Sequence, residues 1–184
     1  PDPIPGIIPF GTVTIFAGAP GVGKTAMLAD WIVRWRDHQT IFGYPTNAPT
    51  AFYYLAADRQ WASHQKWFEA VGFPDIAHYS IADDLKLKIE DLGRPALAHS
   101  MFIAALNKLN PEPGSHLFID PVAPLFIPGD PNRARDVAVG MLEFSRICAQ
   151  KSINITCAAH FGKQKNDPAE QYTRPQDRIA GSGA

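Results

Sequence analysis

Gly18-Ala19-Pro20-Gly21-Val22-Gly23-Lys24-Thr25 is the stretch on which the reading of this chain turns. It has the spacing G-x-x-x-x-G-K-S/T of a phosphate-binding loop. The residues on either side suit that role. Residues 12–17, TVTIFA, form a β-branched, apolar run suited to a buried parallel strand. Residues 26–32, AMLADWI, are helix formers, and Leu28, Trp31, Ile32 and Trp35 fall on one side of that helix. A strand, a glycine-rich turn and a helix in this order aim backbone N–H groups and the positive end of a helix dipole at one point, where a polyphosphate can sit.

The other residues of the motif then take distinct roles. Gly18, Ala19, Pro20, Gly21, Val22 and Gly23 wrap the phosphates, Lys24 meets the β- and γ-phosphates as a point charge, and Thr25 offers its hydroxyl to Mg²⁺. An ordinary glycine turn between strand and helix would explain neither Lys24 nor Thr25.

The bulk properties bound the rest. With 184 residues, 46% of them apolar, the chain can bury one sizeable core and reads as a single domain over 1–184. The net charge of -1 leaves no global electrostatic footprint for nucleic acid, so any such contact must be local or built from several copies. No apolar run approaches the ~20 residues that span a bilayer, and no charged-then-apolar leader opens the chain; the expectation is a cytoplasmic protein without membrane contact. Cys148 and Cys157 fall in apolar patterns and read as buried thiols.

Outward from the loop, residues 1–9 hold four prolines and predict an extended arm over 1–8. Residues 51–56 form a second apolar strand, ending near Asp58. A helix is expected over 60–71 on the spacing of Trp61, His64, Phe68 and Val71, with Gly72 and Pro74 as its stop. Residues 76–81 suit a short third strand, and 83–91 a solvated, mixed-charge stretch. Pro95 opens a helix carrying Leu97, Met101, Ala105 and Leu109, which Pro111 ends. Then His116-Leu117-Phe118-Ile119-Asp120 rises through apolar residues to an aspartate, the Walker B pattern, which sets Asp120 at the carboxyl edge of a parallel sheet to hold Mg²⁺. A helix over 133–151 bears Val137, Met141, Phe144 and Cys148, and the strand after it delivers His160 to the same edge.

The run IPFGTVTIFAGAPGVGKT, residues 8–25, resembles the opening of a RecA-like ATPase core, and within that superfamily it is most similar to the RepA-type AAA family of replicative helicases. The resemblance implies an α/β fold, a three-layer RecA-like P-loop NTPase whose mostly parallel central sheet is flanked by helices. It implies ATP and Mg²⁺ as cofactors and ATP hydrolysis as the reaction. At the end of the second strand the family places an acidic residue that polarises the attacking water. Asp58 holds that position here, where these helicases usually carry glutamate; the alternative is that Asp58 caps the following helix. A polar residue at the position of His160 senses the γ-phosphate in the family, the alternative being a satisfied structural histidine. Residues 162–178 form a polar, mobile loop by composition. In the family, loops here line the channel of a hexameric ring and touch single-stranded DNA, which would give that role to Lys163 and Lys165; a plain surface loop is the alternative.

The last residues, IAGSGA, resemble a segment that precedes a further strand in the family, so the resemblance implies a core that is C-terminally incomplete, with the remaining strands and a trans-acting arginine past Ala184. The reading that results is Mg²⁺-dependent ATP binding and hydrolysis in a homo-oligomeric DNA helicase or replication ATPase. Two alternatives stand beside it: a nucleotide-switched module similar to RecA paralogues or KaiC-like regulators, and a small-molecule kinase.

Overall fold

The computed structural model describes residues 1–19, 21–57, 60–84, 95–121 and 134–160. Five strands make one sheet: β1 (Val13–Gly18), β2 (Phe52–Ala56), β3 (Ala77–Ser80), β4 (His116–Asp120) and β5 (Asn154–His160). Their order across the sheet is β1-β5-β4-β2-β3, and every neighbouring pair is parallel. Parallel neighbours need crossover connections, and helices supply them: α1 (Lys24–Arg36), α2 (Trp61–Ala70), α3 (Ile81–Asp84), α4 (Pro95–Leu109) and α5 (Ala134–Lys151).

Side-chain alternation along the strands divides the core into two layers. Leu55, Leu117, Ile119, Ile155 and Cys157 point to one face, where Phe102 and Leu106 of α4 and Phe144, Ile147 and Cys148 of α5 cover them. Tyr54, Ala56, Phe118 and Ala158 point to the other, against Leu28, Trp31, Ile32 and Trp35 of α1 and Phe68 of α2. The result is the three-layer α/β architecture that the family resemblance implies. On α4 the buried stripe runs through Phe102, Ala105 and Leu106; the side chains of Leu97, Met101 and Val137, named above for the core, lie outside the described residues. Both thiols are buried and unpaired by disulfide, and burial pushes Cys148 up to about 12 and Cys157 well above its usual range.

The extended arm expected over 1–8 is corrected. Ile7 and Ile8 donate their N–H groups to the Ile4 carbonyl at 3.0 and 2.9 Å, closing a turn that buries Ile4 and Ile8 in the apolar layer that also holds Trp31 and Ile41. Asn47 ties this turn down by donating to the carbonyls of Pro3 and Asp2. Four prolines disfavour helix and strand but permit a turn, and two isoleucines gain more from burial than from solvent.

His116, at the amino end of β4, is fully buried between Trp35 and Phe118, with Nε2 2.8 Å from Thr156 Oγ1. Burial lowers its pKa from 6.5 to about 3. Between those values the unfolded chain binds a proton that the native state refuses, so stability is full above pH 6.5 and declines as pH falls toward 3. The expected loss is at most about 1.4 kcal/mol per pH unit. Urea unfolding at pH 7, 6, 5 and 4 should show it, and His116→Phe should flatten that slope; an equal slope in the variant would remove His116 as its source.

Candidate nucleotide site

The carboxyl ends of the strands bring the motif residues together. Ala56 pairs with Asp120 across β2 and β4, and the Ala57 N–H donates to the Asp120 carbonyl at 2.9 Å. Gly18 pairs with His160 across β1 and β5. The loop after β1, the end of β4 and the end of β5 therefore meet at one edge, with β5 interposed between β1, which leads into the loop, and β4, which carries Asp120.

Within the loop, Gly21 and Gly23 have φ of 78° and 87°, a left-handed backbone that a side chain would strain. Gly23 stands at the N-cap of α1 without a side-chain cap bond, and no acidic residue sits in the first turn. Those leading amides and the helix dipole suit an anionic ligand. Lys24 folds back over the loop, donating from Nζ to the Gly18 and Ala19 carbonyls at 2.8 and 2.9 Å. Burial lowers its pKa and the nearby Asp120 carboxylate partly restores it.

Thr25, one residue on, donates from Oγ1 to Asp120 Oδ2 at 2.5 Å. Asp120 is only 4% exposed, which is rare for a carboxylate unless it is partnered or liganded. Two hard oxygens from separate motifs, set side by side at the sheet edge, fit Mg²⁺, which takes one or two protein oxygens and completes its shell with phosphate and water.

Gly21, Gly23, Lys24, Thr25 and Asp120 line a single cleft of about 230 Å³. Its far wall is α2, which contributes Ser63, His64, Lys66 and Trp67. That wall was missed in the sequence. The spacing of Trp61, His64 and Phe68 marks an apolar stripe, and nothing in a helical period says that the polar edge of such a stripe faces a ligand.

Asp58, Pro20, Lys163 and Lys165 lie outside the described residues, as does the side chain of His160. Gln60 stands at the cap position of α2 without a side-chain cap bond, and the Trp61 N–H donates to the Asp83 carboxylate at 2.7 Å. The helix is capped from a distant segment, which no local pattern discloses. Among the described residues no helix is long and apolar enough to cross a membrane.

A strand, a glycine loop and a helix that carries lysine and threonine, set beside the aspartate of a neighbouring parallel strand, define a P-loop nucleotide-binding protein of RecA-like fold. The family model of an AAA domain matches residues 2–166, and the chain belongs to that family, the RepA-type branch of the RecA-like P-loop ATPases. Among solved structures, the chain is similar to the KaiC-like protein of the hyperthermophilic archaeon Pyrococcus horikoshii OT3, with a TM-score of 0.52 and 14% identity over 98% of this chain and 74% of the other. At that identity the likeness is one of fold. No curated protein matches the sequence.

Proposed function

We propose that the chain binds and hydrolyses ATP with Mg²⁺ as one subunit of a ring-shaped assembly that works on single-stranded DNA, a helicase or replication ATPase. The observation that carries the nucleotide part is the meeting of Lys24, Thr25 and Asp120 in one cleft. In this reading the loop amides and Lys24 neutralise and orient the triphosphate. Thr25 and Asp120 hold Mg²⁺, which when bound offsets charge on the β- and γ-phosphates. Asp58, the acidic residue that follows β2 in the sequence, orients the attacking water. His160, whose backbone pairs with Gly18, reports the γ-phosphate to the residues that follow it, among them Lys163 and Lys165, which touch DNA phosphates. Positioning and charge stabilisation do most of the catalysis in such a reaction.

An arginine from a neighbouring subunit is worth about 10³ to 10⁵ in rate in related enzymes, so a lone subunit should turn over slowly. The test measures ATP binding, phosphate release and particle mass, each with and without single-stranded DNA. Mg²⁺-dependent binding, slow basal turnover and acceleration on DNA-driven assembly are expected. Binding with turnover indifferent to DNA would instead support a nucleotide-switched module, which the aspartate at position 58 in place of glutamate favours. Transfer of labelled phosphate to an acceptor would mark a kinase.

A further inference from the structure

Asp120 is held from two sides. Besides the Thr25 hydroxyl, Tyr54 donates from its phenol to the same Oδ2 at 2.9 Å, and His64 Nδ1 lies 3.0 Å from the Tyr54 oxygen. All three of Tyr54, His64 and Asp120 are buried. The strand register explains the reach: Tyr54 pairs with Phe118, two residues before Asp120 on the adjacent strand, a rise of about 6.6 Å that a tyrosine side chain covers.

The direction of each proton follows. A phenol carries one hydrogen, and here it goes to the carboxylate, so the Tyr54 oxygen must accept from His64, whose proton therefore sits on Nδ1. The ring of Tyr54 is boxed in by three side chains of α2: Phe68 at 4.8 Å, His64 at 5.5 Å and Trp61 at 5.9 Å between centroids. α2 thus sets where the phenol points. Thr25 can keep donating to Asp120 while a lone pair of its oxygen faces a cation, but one bond leaves the carboxylate free to swing about its last torsion. The second bond, from Tyr54, stops that swing.

We infer that Tyr54 is a positioning residue for the Asp120 carboxylate, with its hydroxyl aimed by His64, so that α2 governs the affinity of the site for Mg²⁺. This rests on the proposed nucleotide reading. It adds to that reading two residues that no phosphate-loop or Walker B pattern contains. Partners that orient a metal ligand are typically worth about 10- to 100-fold in metal affinity.

The test uses Tyr54→Phe, His64→Gln and the double variant in the full chain, with calorimetric ATP binding in EDTA and across a Mg²⁺ titration. Tyr54→Phe should cut the factor by which saturating Mg²⁺ tightens ATP binding by about 10- to 100-fold, while ATP affinity in EDTA stays within about twofold, since no phosphate contact changes. His64→Gln should move it the same way by less. His64 Nδ1 also lies 3.9 Å from Asp120 Oδ2, beyond hydrogen-bond reach, so its main route to the carboxylate is the Tyr54 hydroxyl, and the double variant should lose far less than the sum of the two single changes. Undiminished tightening by Mg²⁺ in Tyr54→Phe, which is equal weakening with and without Mg²⁺, overturns the inference; additive losses overturn the part assigned to His64. Should Tyr54→Phe fail to fold by circular dichroism, His64→Gln is read by its Mg²⁺ dependence alone: a loss of ATP affinity larger in Mg²⁺ than in EDTA supports the inference, and an equal loss in both overturns it. The parent protein is the separate control: no ATP binding there, in EDTA or Mg²⁺, would bring down the nucleotide reading itself.

Discussion

Lys24→Ala is expected to weaken ATP binding by about 30-fold to several thousandfold, the range for removing one member of a partly buried, hydrogen-bonded charge pair, about 2–5 kcal/mol. The ammonium is already drawn into the loop by the Gly18 and Ala19 carbonyls, so it reaches the phosphates with little search. The loss should be nearly as large in EDTA as in Mg²⁺, because the contact is between the lysine and phosphate oxygens. A second readout follows by mass action: ATP at 100 times its dissociation constant should stabilise the parent by about 2.7 kcal/mol and, at the same concentration, the variant by at most about 0.9 kcal/mol. Without ATP, both proteins should unfold at similar temperatures, since Lys24 is a loop ligand and not part of either apolar layer. A variant that bound ATP as tightly as the parent would remove Lys24, and with it the loop, from the site.

Asp120→Asn should behave in the opposite way, keeping nucleotide and losing chemistry. The amide has nearly the shape of the carboxylate and can still accept from the Thr25 and Tyr54 hydroxyls, so the fold should survive the change. What goes is the negative charge that would hold Mg²⁺. ATP binding in EDTA should stay within a few-fold of the parent, while Mg²⁺-dependent turnover falls by about 10²- to 10³-fold, the scale on which a single electrostatic contact acts in a transition state. Steady-state phosphate release by the assembled protein would check this. Undiminished turnover would mean that the cation is held elsewhere.

The two substitutions separate parts of the molecule that differ in how plainly they could be read. Lys24 and its loop were legible because the interaction is local: eight consecutive residues contain the glycines, the amine and the hydroxyl, and flanking strand and helix patterns supply their orientation. Asp120 was legible because an apolar strand ending in a carboxylate, a common pattern by itself, follows a phosphate loop about a hundred residues upstream. The helix boundaries followed for the same reason. The expected helix over 60–71 is found at Trp61–Ala70, and Pro95 opens α4 as its fixed φ predicts.

Other features resisted because they are made by contacts distant in sequence. The N-terminal segment looked extended, since prolines signal what a segment cannot do; its turn lets Ile4 and Ile8 join the apolar layer under α1. The cap of α2 comes from Asp83, 22 residues away. The pairing of Tyr54 with Asp120 spans 66 residues and depends on a register between β2 and β4 that neither strand encodes alone. His64 read as one more member of a helical stripe, which it is, with a polar atom that only the neighbouring strand can reach.

The chain by itself determined that a triphosphate loop stands between a buried strand and an amphipathic helix, and that an aspartate ends a later strand, because these are properties of adjacent residues and of their period. Only the tertiary structure decided that the β5 strand lies between those two motifs, that Asp120 is held by two hydroxyls at once, and that α2 forms the opposite wall of the cleft. Strand order and side-chain meeting points arise from packing two apolar layers on one twisted sheet. Many sequences could satisfy the same local patterns and pack them differently.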